Sequence, residues 1–154
     1  MEKFRRSCVI AGFAVIATIL GHAAALEAAI AQVRNLAQPG AFAIESSSPS
    51  GASLERQGRI EQQTSAGWET VFDEFYLVKN CGAVATLPAC VTLTPGAALR
   101  PVPWNGYTCY GQCPRPCKGN VYRPPGTFRL VLTACGGGAP VVGAPFFMGA
   151  RAKR

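Results

Sequence analysis

Residues 93–135 read LTPGAALRPVPWNGYTCYGQCPRPCKGNVYRPPGTFRLVLTAC and carry most of the fold information in this chain. A proline–glycine pair at 95–96 and an asparagine–glycine pair at 105–106 are turn signals. At residues 128–133 large apolar side chains occupy every second position, which is typical of a strand with one buried face. We therefore expect a central strand at residues 128–133, bounded by glycine-containing turns.

Three further stretches, residues 41–44, 68–81 and 90–93, predict strands. The longest of them, 68–81, is rich in β-branched and aromatic residues and ends in an Asn-Cys-Gly turn. Glycine (17 residues) and proline (12 residues) are plentiful, and charged residues make up only 15% of the chain. This composition favours a small, turn-rich all-β domain over a helical bundle.

Three other regions give weaker signals. The piece from Leu99 to Trp104 contains Pro101 and Pro103, which lack an N–H, so it is expected at a sheet edge or as an irregular strand. Residues 54–63 are polar and could form either an edge strand or a loop. Residues 141–148 are expected to form one last strand.

The first 31 residues predict an export signal. A basic start at residues 3–6 precedes an uncharged run at 8–20, and small residues offer cleavage after Ala25 or Ala31. The apolar run is about the minimum length that spans a bilayer, so a membrane contact is expected only if the signal stays uncleaved. We expect a secreted or periplasmic protein.

These features divide the chain into four parts. A short helix could begin the second part if cleavage follows Ala25, because Leu26, Ile30 and Val33 lie at helical spacing. The expected parts are a signal peptide (1–25), a partly flexible N-terminal segment (26–66), a β-sandwich core with a cysteine-rich loop (67–150) and a basic tail (151–154).

Six cysteines remain once Cys8 has left with the signal, and an even number in an exported chain predicts disulfides. We expect a local Cys81–Cys90 bond and a bond from Cys135 to one of three clustered cysteines, whose other two members pair, although other pairings stay open. A metal site is not expected, because no second cysteine pair has zinc-site spacing. The six are Cys81, Cys90, Cys109, Cys113, Cys117 and Cys135.

The charge is polarised along the chain, whose net charge is +7 at pH 7. The last carboxylate side chain is Glu74, and every charged side chain after it is basic. This pattern is typical of a soluble, basic exported domain, and its sharper interpretation is a face for an anionic partner, such as an acidic envelope component or an acidic protein. Nucleic acid is not expected, because the bases are dispersed and no recognition motif accompanies them. The candidate binding surface comprises Arg100, Tyr107, Tyr110, Arg115, Lys118, Tyr122 and Arg123.

The residues that catalysis needs are missing from the expected mature chain. The only histidine of the sequence, His22, lies in the expected signal, so the mature chain would contain no histidine. The sequence also holds no nucleophile elbow and no phosphate-binding loop. Asp73 and Glu74 are neighbours on an alternating strand and so point to opposite faces. Together with Glu69 they are interpreted as a solvated strand face. We expect no enzymatic activity and no cofactor.

The succession Leu93-x-Pro95-Gly96, Trp104-Asn105-Gly106 and Pro125-Gly126-Thr127-Phe128 resembles the second half of Ig-like domains in bacterial exported proteins. It is also similar to the bacterial intracellular proteinase inhibitor family, although that family lacks a signal and six cysteines. The resemblance covers about forty residues, 93–132, and implies a small Ig-like β-sandwich, with Trp104 expected in its core.

Together these features predict a non-enzymatic, disulfide-stabilised binding or structural domain with a cationic second half. The alternative is a secreted protease inhibitor that presents the loop at residues 107–122. Cysteines and two prolines, Pro114 and Pro116, would rigidify that loop, as a preorganised inhibitory loop requires.

Overall fold

The computed structural model describes residues 30–78, 88–108 and 119–150. Within these ranges the chain forms strands and turns but no helix, so the described part holds no helix that could cross a membrane. The strands are β1 (Ala31–Asn35), β2 (Phe42–Ser46), β3 (Ala52–Glu55), β4 (Gln57–Thr64), β5 (Gly67–Tyr76), β6 (Cys90–Leu93), β7 (Ala98–Leu99), β8 (Gly126–Leu132), β9 (Val141–Val142) and β10 (Phe146–Met148).

The strands form three antiparallel sheets. One has three strands in the order β1-β2-β7, and one has two strands, β3 and β6. The five-stranded sheet has the order β10-β8-β4-β5, and β9 also pairs with β8. The expectation of an all-β fold is confirmed.

All three sheets contribute to one hydrophobic core. Phe42 of the three-stranded sheet meets Phe75 and Phe146 of the five-stranded sheet edge to face, at ring-centroid distances of 5.6 and 5.4 Å. Leu54 of the two-stranded sheet belongs to the same cluster and is fully buried. Trp104 is 1% exposed and its ring lies 5.0 Å from that of Phe128, so its predicted core position is confirmed.

Strand β8 confirms the predicted central strand. It is paired with β4 on one side and with β9 and β10 on the other. Phe128, Leu130 and Leu132 are fully buried, as the alternation predicted. Val131 is also buried, although it projects to the opposite face, where it lies between Arg59 of β4 and Val142 of β9.

Strand β4 corrects the interpretation of residues 54–63 as an edge strand or loop. It lies between β5 and β8, and its Ile60 is fully buried. The segment 26–66 was expected to be partly flexible, with the β-sandwich core in residues 67–150, but Phe42, Ile44, Leu54 and Ile60 all belong to the hydrophobic core. Strand β4 needs few large apolar residues to lie inside the sheet, because β5 and β8 satisfy its backbone hydrogen bonds on both edges.

The helix expected from Leu26, Ile30 and Val33 is not formed at its described end. Residues 31–35 form β1, which pairs along its whole length with β2. Val33 lies opposite Ile44. The backbone N–H and C=O groups of β1 therefore find their hydrogen-bond partners in β2 and not within a helix. Leu26 and the signal segment lie outside the described residues.

Two β-bulges interrupt the pairing of β4 with β5. Ile60 lies opposite Phe72 and Gly58 lies opposite Phe75, so β5 has one residue more than β4 in this interval. A second irregularity lies between Ile60 and Glu61. An extra residue reverses the alternation, which explains why Phe72 and Phe75 are both buried although an odd number of positions separates them.

The turns follow the sequence in part. At Pro95-Gly96 the N–H of Ala97 donates to the carbonyl of Thr94 at 3.2 Å, and Gly96 has φ +74°, as its turn requires. Asn105-Gly106 forms a bend rather than a two-residue hairpin, and Asn105 Oδ1 accepts the N–H of Tyr107 at 3.2 Å.

Of two further expectations, one agrees with the described strands and one differs from them. Strand β7 is only two residues long, and an irregular segment follows it, as Pro101 and Pro103 predicted. The single strand expected at residues 141–148 is instead two short strands, β9 and β10, each of which pairs with β8.

The described disulfide joins Cys90 to Cys135, with their Cα atoms 6.1 Å apart. The expected Cys81–Cys90 bond is therefore wrong, and so is the bond from Cys135 to the clustered cysteines. Residues around Cys90 and Cys135 both pair with β3: Leu54 lies opposite Val91 and also bridges Ala134. Tertiary pairing brings the two thiols together across a separation of 45 residues. Cys81, Cys109, Cys113 and Cys117 lie outside the described residues.

Candidate functional site

The predicted binding surface is described at four of its seven residues. Arg100 and Arg123 are exposed, whereas Tyr107 and Tyr122 are partly buried. Arg100 directly follows β7, and Arg123 donates its backbone N–H to the carbonyl of Gly106 at 2.9 Å. The remaining predicted residues lie outside the described ranges: Tyr110, Arg115 and Lys118.

The base of the cysteine-rich loop is held closed. Tyr107 and Tyr122 form an antiparallel bridge, and their ring centroids are 4.9 Å apart. The N–H of Thr108 donates to the carbonyl of Val121, and the N–H of Val121 donates to Thr108 Oγ1, both at 2.9 Å. The two tyrosines therefore brace the base of the loop.

The described residues carry no overall excess of positive charge. Their basic and acidic side chains are equal in number, so the positive excess of the chain lies in the other residues. The described bases are Arg34, Arg56, Arg59, Arg100, Arg123 and Arg129, and the described acids are Glu45, Glu55, Glu61, Glu69, Asp73 and Glu74.

A more organised group of polar residues lies on the five-stranded sheet. Ile60 and Leu130 point into the core, so Glu61 and Arg129, which lie opposite each other on neighbouring strands, project from the other face. Arg59 and Trp68 join them there through side-chain contacts. We call Arg59, Glu61, Trp68 and Arg129 the outer cluster.

Glu61 is the centre of the outer cluster. It is only 6% exposed, and its Oε1 lies 2.8 Å from Arg59 Nε. Its Oε2 lies 2.7 Å from Arg129 Nη2 and 2.8 Å from Arg129 Nε, so Arg129 grips this oxygen with both nitrogens. The carboxylate thus has a guanidinium on each oxygen, which compensates for its loss of water.

The ionisation of Glu61 follows from these contacts. Burial raises the pKa of the carboxyl, but the hydrogen bonds and positive charges of Arg59 and Arg129 outweigh burial and bring the pKa below its ordinary value. Glu61 therefore stays ionised at neutral pH. It is suited to hold two arginines in place and not to donate a proton.

Arg129 also packs against an aromatic ring. Its guanidinium carbon lies 4.1 Å from the ring centroid of Trp68 on β5, well within the range of a cation–π contact. The contact spans from β8 across β4 to β5, because Trp68 lies opposite Gln63 on the intervening strand. Glu61 and Trp68 together fix the position of the Arg129 guanidinium.

An exposed aromatic residue lies on the same face. Phe147 of β10 is 64% exposed and lies opposite Thr127 of β8. Continuing the β4–β8 register places Thr127 opposite Gln63, which lies opposite Trp68. Phe147 and Trp68 are thus in one row, three strand spacings or about 14 Å apart.

The sequence interpretation missed this arrangement. Arg59 and Glu61 lie in the stretch left open between loop and edge strand, and their partner Arg129 is far away in the chain. Trp68 was identified only as a strand residue. The only sign of the cluster in the sequence is a carboxylate, Glu61, among polar residues in 57–63. This sign indicates a cluster only when β8 is known to lie beside β4, because β8 brings Arg129 opposite Glu61.

The sequence singled out three further acidic residues as a solvated strand face. Glu69, Asp73 and Glu74 are exposed on β5. The part of the chain that the structure describes contains no group of histidine, cysteine, aspartate or glutamate side chains arranged to hold a metal ion.

Comparison with models of known protein families, with curated proteins and with solved structures found no match to this chain.

Proposed function

We propose that this chain is an exported, non-enzymatic binding domain that recognises an anionic partner through the face carrying the outer cluster and Phe147. The observation that carries the proposal is the Arg129 guanidinium, which Glu61 and the Trp68 ring hold in one position. A cation fixed beforehand binds with a smaller loss of side-chain freedom than a mobile surface arginine.

The charge of the outer cluster supports an anionic partner. Two guanidiniums face one carboxylate, so the cluster keeps a net positive charge. The ion pair of Arg59 with Glu61 is made through Nε, and 39% of the Arg59 side chain is exposed. Its outer nitrogens can donate to carboxylate, sulfate or phosphate oxygens of a ligand.

The aromatic residues support a polymer whose units, such as sugar rings, have an apolar face that can stack on an aromatic ring. Trp68 and Phe147 lie at the two ends of a row that carries Thr127 and Gln63 between them. Aromatic rings combined with arginines and small polar side chains serve both stacking and hydrogen bonding. An acidic envelope polysaccharide would offer sugar rings for stacking, hydroxyl groups for hydrogen bonds and carboxylates for the arginines.

The finer architecture and the location belong to the same proposal. We propose an Ig-like β-sandwich, which the ring contacts of Phe42 with Phe75 and Phe146 support, because they join two sheets face to face. Export to the periplasm or beyond is supported by the Cys90–Cys135 bond, since disulfides persist mainly in oxidising compartments.

Binding to an acidic polysaccharide tests the proposal. Polygalacturonate and neutral dextran would be titrated into the full oxidised chain by calorimetry at several salt concentrations. We expect saturable binding to the acidic polymer alone, which weakens as salt rises. Trp68→Ala should weaken it about tenfold, the usual effect of losing one stacking contact of about 1–3 kcal/mol.

Val121→Ser is the matched control, because Val121 is 50% exposed at the base of the loop and away from the outer cluster. It should bind as the unaltered chain does. Equal binding of dextran, or unchanged affinity in both Trp68→Ala and Phe147→Ser, would exclude this face as the binding surface.

A protease inhibitor remains the second candidate, and the closed base of the loop favours it. The bridge between Tyr107 and Tyr122 and the hydrogen bonds between Thr108 and Val121 restrict both ends of the loop. A panel of serine and cysteine proteases would be assayed with the full chain. Inhibition that is lost in Tyr122→Ala supports this function, and no inhibition at micromolar concentration rejects it.

A further inference from the structure

A cleft lies at the start of β4, beside the Cys90–Cys135 disulfide. Trp68 lies opposite Gln63, near the other end of that strand. The cleft has a volume of about 310 Å³, near the lower limit of small-molecule sites. Among the described residues that line it, Arg56 alone is basic. The lining residues are Glu55, Arg56, Gln57, Ala89, Cys90, Cys135 and Gly136.

Arg56 has donors that no described residue satisfies. Its Nε and Nη1 are buried and make no hydrogen bond within the described part of the chain. The ring centroid of Tyr76 lies 6.0 Å from the guanidinium carbon, at the outer limit of a cation–π contact. Buried donors without partners are costly and uncommon in native proteins. Because these two atoms have almost no accessible surface, an acceptor in the cleft reaches them only when the Arg56 side chain turns toward it.

The surroundings hold the backbone of Arg56 in place. Its backbone N–H donates to the carbonyl of Ala89 at 2.8 Å, and its own carbonyl accepts the N–H of Leu77 at 2.9 Å. The Cys90–Cys135 bond fastens the opposite part of the wall. The cleft is therefore built from paired strands and a covalent link and does not depend on a ligand for its shape.

We infer that this cleft is a binding site for a compact oxyanion, which the guanidinium of Arg56 recognises. The planar guanidinium presents paired N–H groups that match two oxygens of a carboxylate, sulfate or phosphate. Glu55 also lines the cleft and repels further negative charge, so a single small anionic group fits better than a polyanion.

The site is separate from the outer cluster. Arg56 precedes Glu61 by five residues on an extended chain, which corresponds to about 16 Å. A small anion bound here therefore leaves the face with Trp68 and Phe147 free, and the inference does not rest on the proposed polysaccharide binding.

Titration with simple anions tests the inference. The full oxidised chain, labelled with ¹⁵N, would be titrated with sodium phosphate, sulfate or acetate against sodium chloride at equal ionic strength. We expect the Nε–Hε signal of Arg56 to shift saturably with at least one oxyanion and not with chloride. The three salts distinguish phosphate, sulfate and carboxylate as the preferred group.

Two variants and one control complete the test. Arg56→Met should weaken binding at least tenfold, whereas Arg56→Lys, which keeps the charge but loses the fork, should weaken it less. Arg34→Met removes an exposed arginine of β1, which belongs to a different sheet, and should change nothing. An Arg56 signal that responds equally to chloride, or undiminished binding in Arg56→Lys and Arg56→Met, overturns the inference. If Arg56→Met does not fold, the Arg56 signal of the unaltered chain still decides.

Discussion

At the scale of single residues, Glu61 shows how a buried charge is accommodated. The carboxylate is almost inaccessible to water, yet both oxygens receive hydrogen bonds from arginines on its own and the neighbouring strand. Removing one partner from such a group costs more than forming the group contributes, because the remaining charges stay buried. The outer cluster should therefore respond to substitution as a unit.

We expect Glu61→Gln to reduce the free energy of unfolding at neutral pH by about 1–3 kcal/mol, the usual effect of losing charge-assisted hydrogen bonds. Because folding lowers the pKa of Glu61, its stabilisation is complete above the ordinary value of 4.5 and is lost as the pH falls through the lowered folded-state pKa. The difference from the unaltered chain should therefore shrink in acid.

Urea denaturation at a series of pH values measures this difference. Glu74→Gln serves as the control, because Glu74 is exposed on β5 and its loss should change stability by no more than about 0.5 kcal/mol. A difference between the unaltered chain and Glu61→Gln that stays constant from neutral to acid pH would show that the ionisation of Glu61 is not coupled to folding.

At the scale of elements, β5 shows how a bulge changes the meaning of a sequence pattern. Aromatic and β-branched residues predicted a strand at 68–81, and β5 runs from Gly67 to Tyr76. No simple alternation describes which of its residues are buried. Phe72 and Phe75 both face the core because the strand carries an extra residue between them relative to β4. The bulge is a property of the pair of strands, so it cannot be seen in one strand alone.

This arrangement predicts that Phe72→Ala and Phe75→Ala each destabilise the fold by about 3–5 kcal/mol, as expected for a buried phenylalanine. Phe147→Ala, on a largely exposed phenylalanine of β10, should cost no more than about 0.5 kcal/mol. Thermal and urea unfolding of the three variants would compare them. A mild effect at Phe75 with a large one at Phe72 would mean that the alternation continues without a bulge.

At the scale of the whole molecule, the Cys90–Cys135 bond joins β6 to the turn that follows β8. It closes a loop of 45 residues, which includes the cysteine-rich loop, and so limits the freedom of a large part of the unfolded chain. Both cysteines flank β3, and the bond ties the two-stranded sheet to the five-stranded one. The free energy of folding of a domain this size is small enough for one such bond to decide its stability.

The double variant Cys90→Ala/Cys135→Ala should lower the free energy of unfolding by about 4 kcal/mol on the loop-entropy model. Replacing both residues avoids a leftover thiol that could exchange with other cysteines. Non-reducing peptide mapping should recover one linked peptide pair that contains Cys90 and Cys135. A linked pair containing Cys81 and Cys90 would contradict the described bond and restore the local pairing.

By itself, the sequence determined the fold class and the best-defined strands. Residues 128–133 alternate strongly enough to specify a central strand, and the large apolar side chain of Trp104 favours a core position. Glycine and proline marked the turns, because these residues restrict or extend the backbone locally. Such signals act over a few residues and so can be read without the partner strands.

Only the tertiary structure decided the position of β4, the disulfide partner of Cys90 and the two groups of polar residues proposed as sites. Each depends on residues far apart in the chain: Glu61 meets Arg129 across paired strands, and Cys90 meets Cys135 across β3. Strand order and register bring these partners together, and the spacing of residues along one strand carries no information about which strand lies beside it.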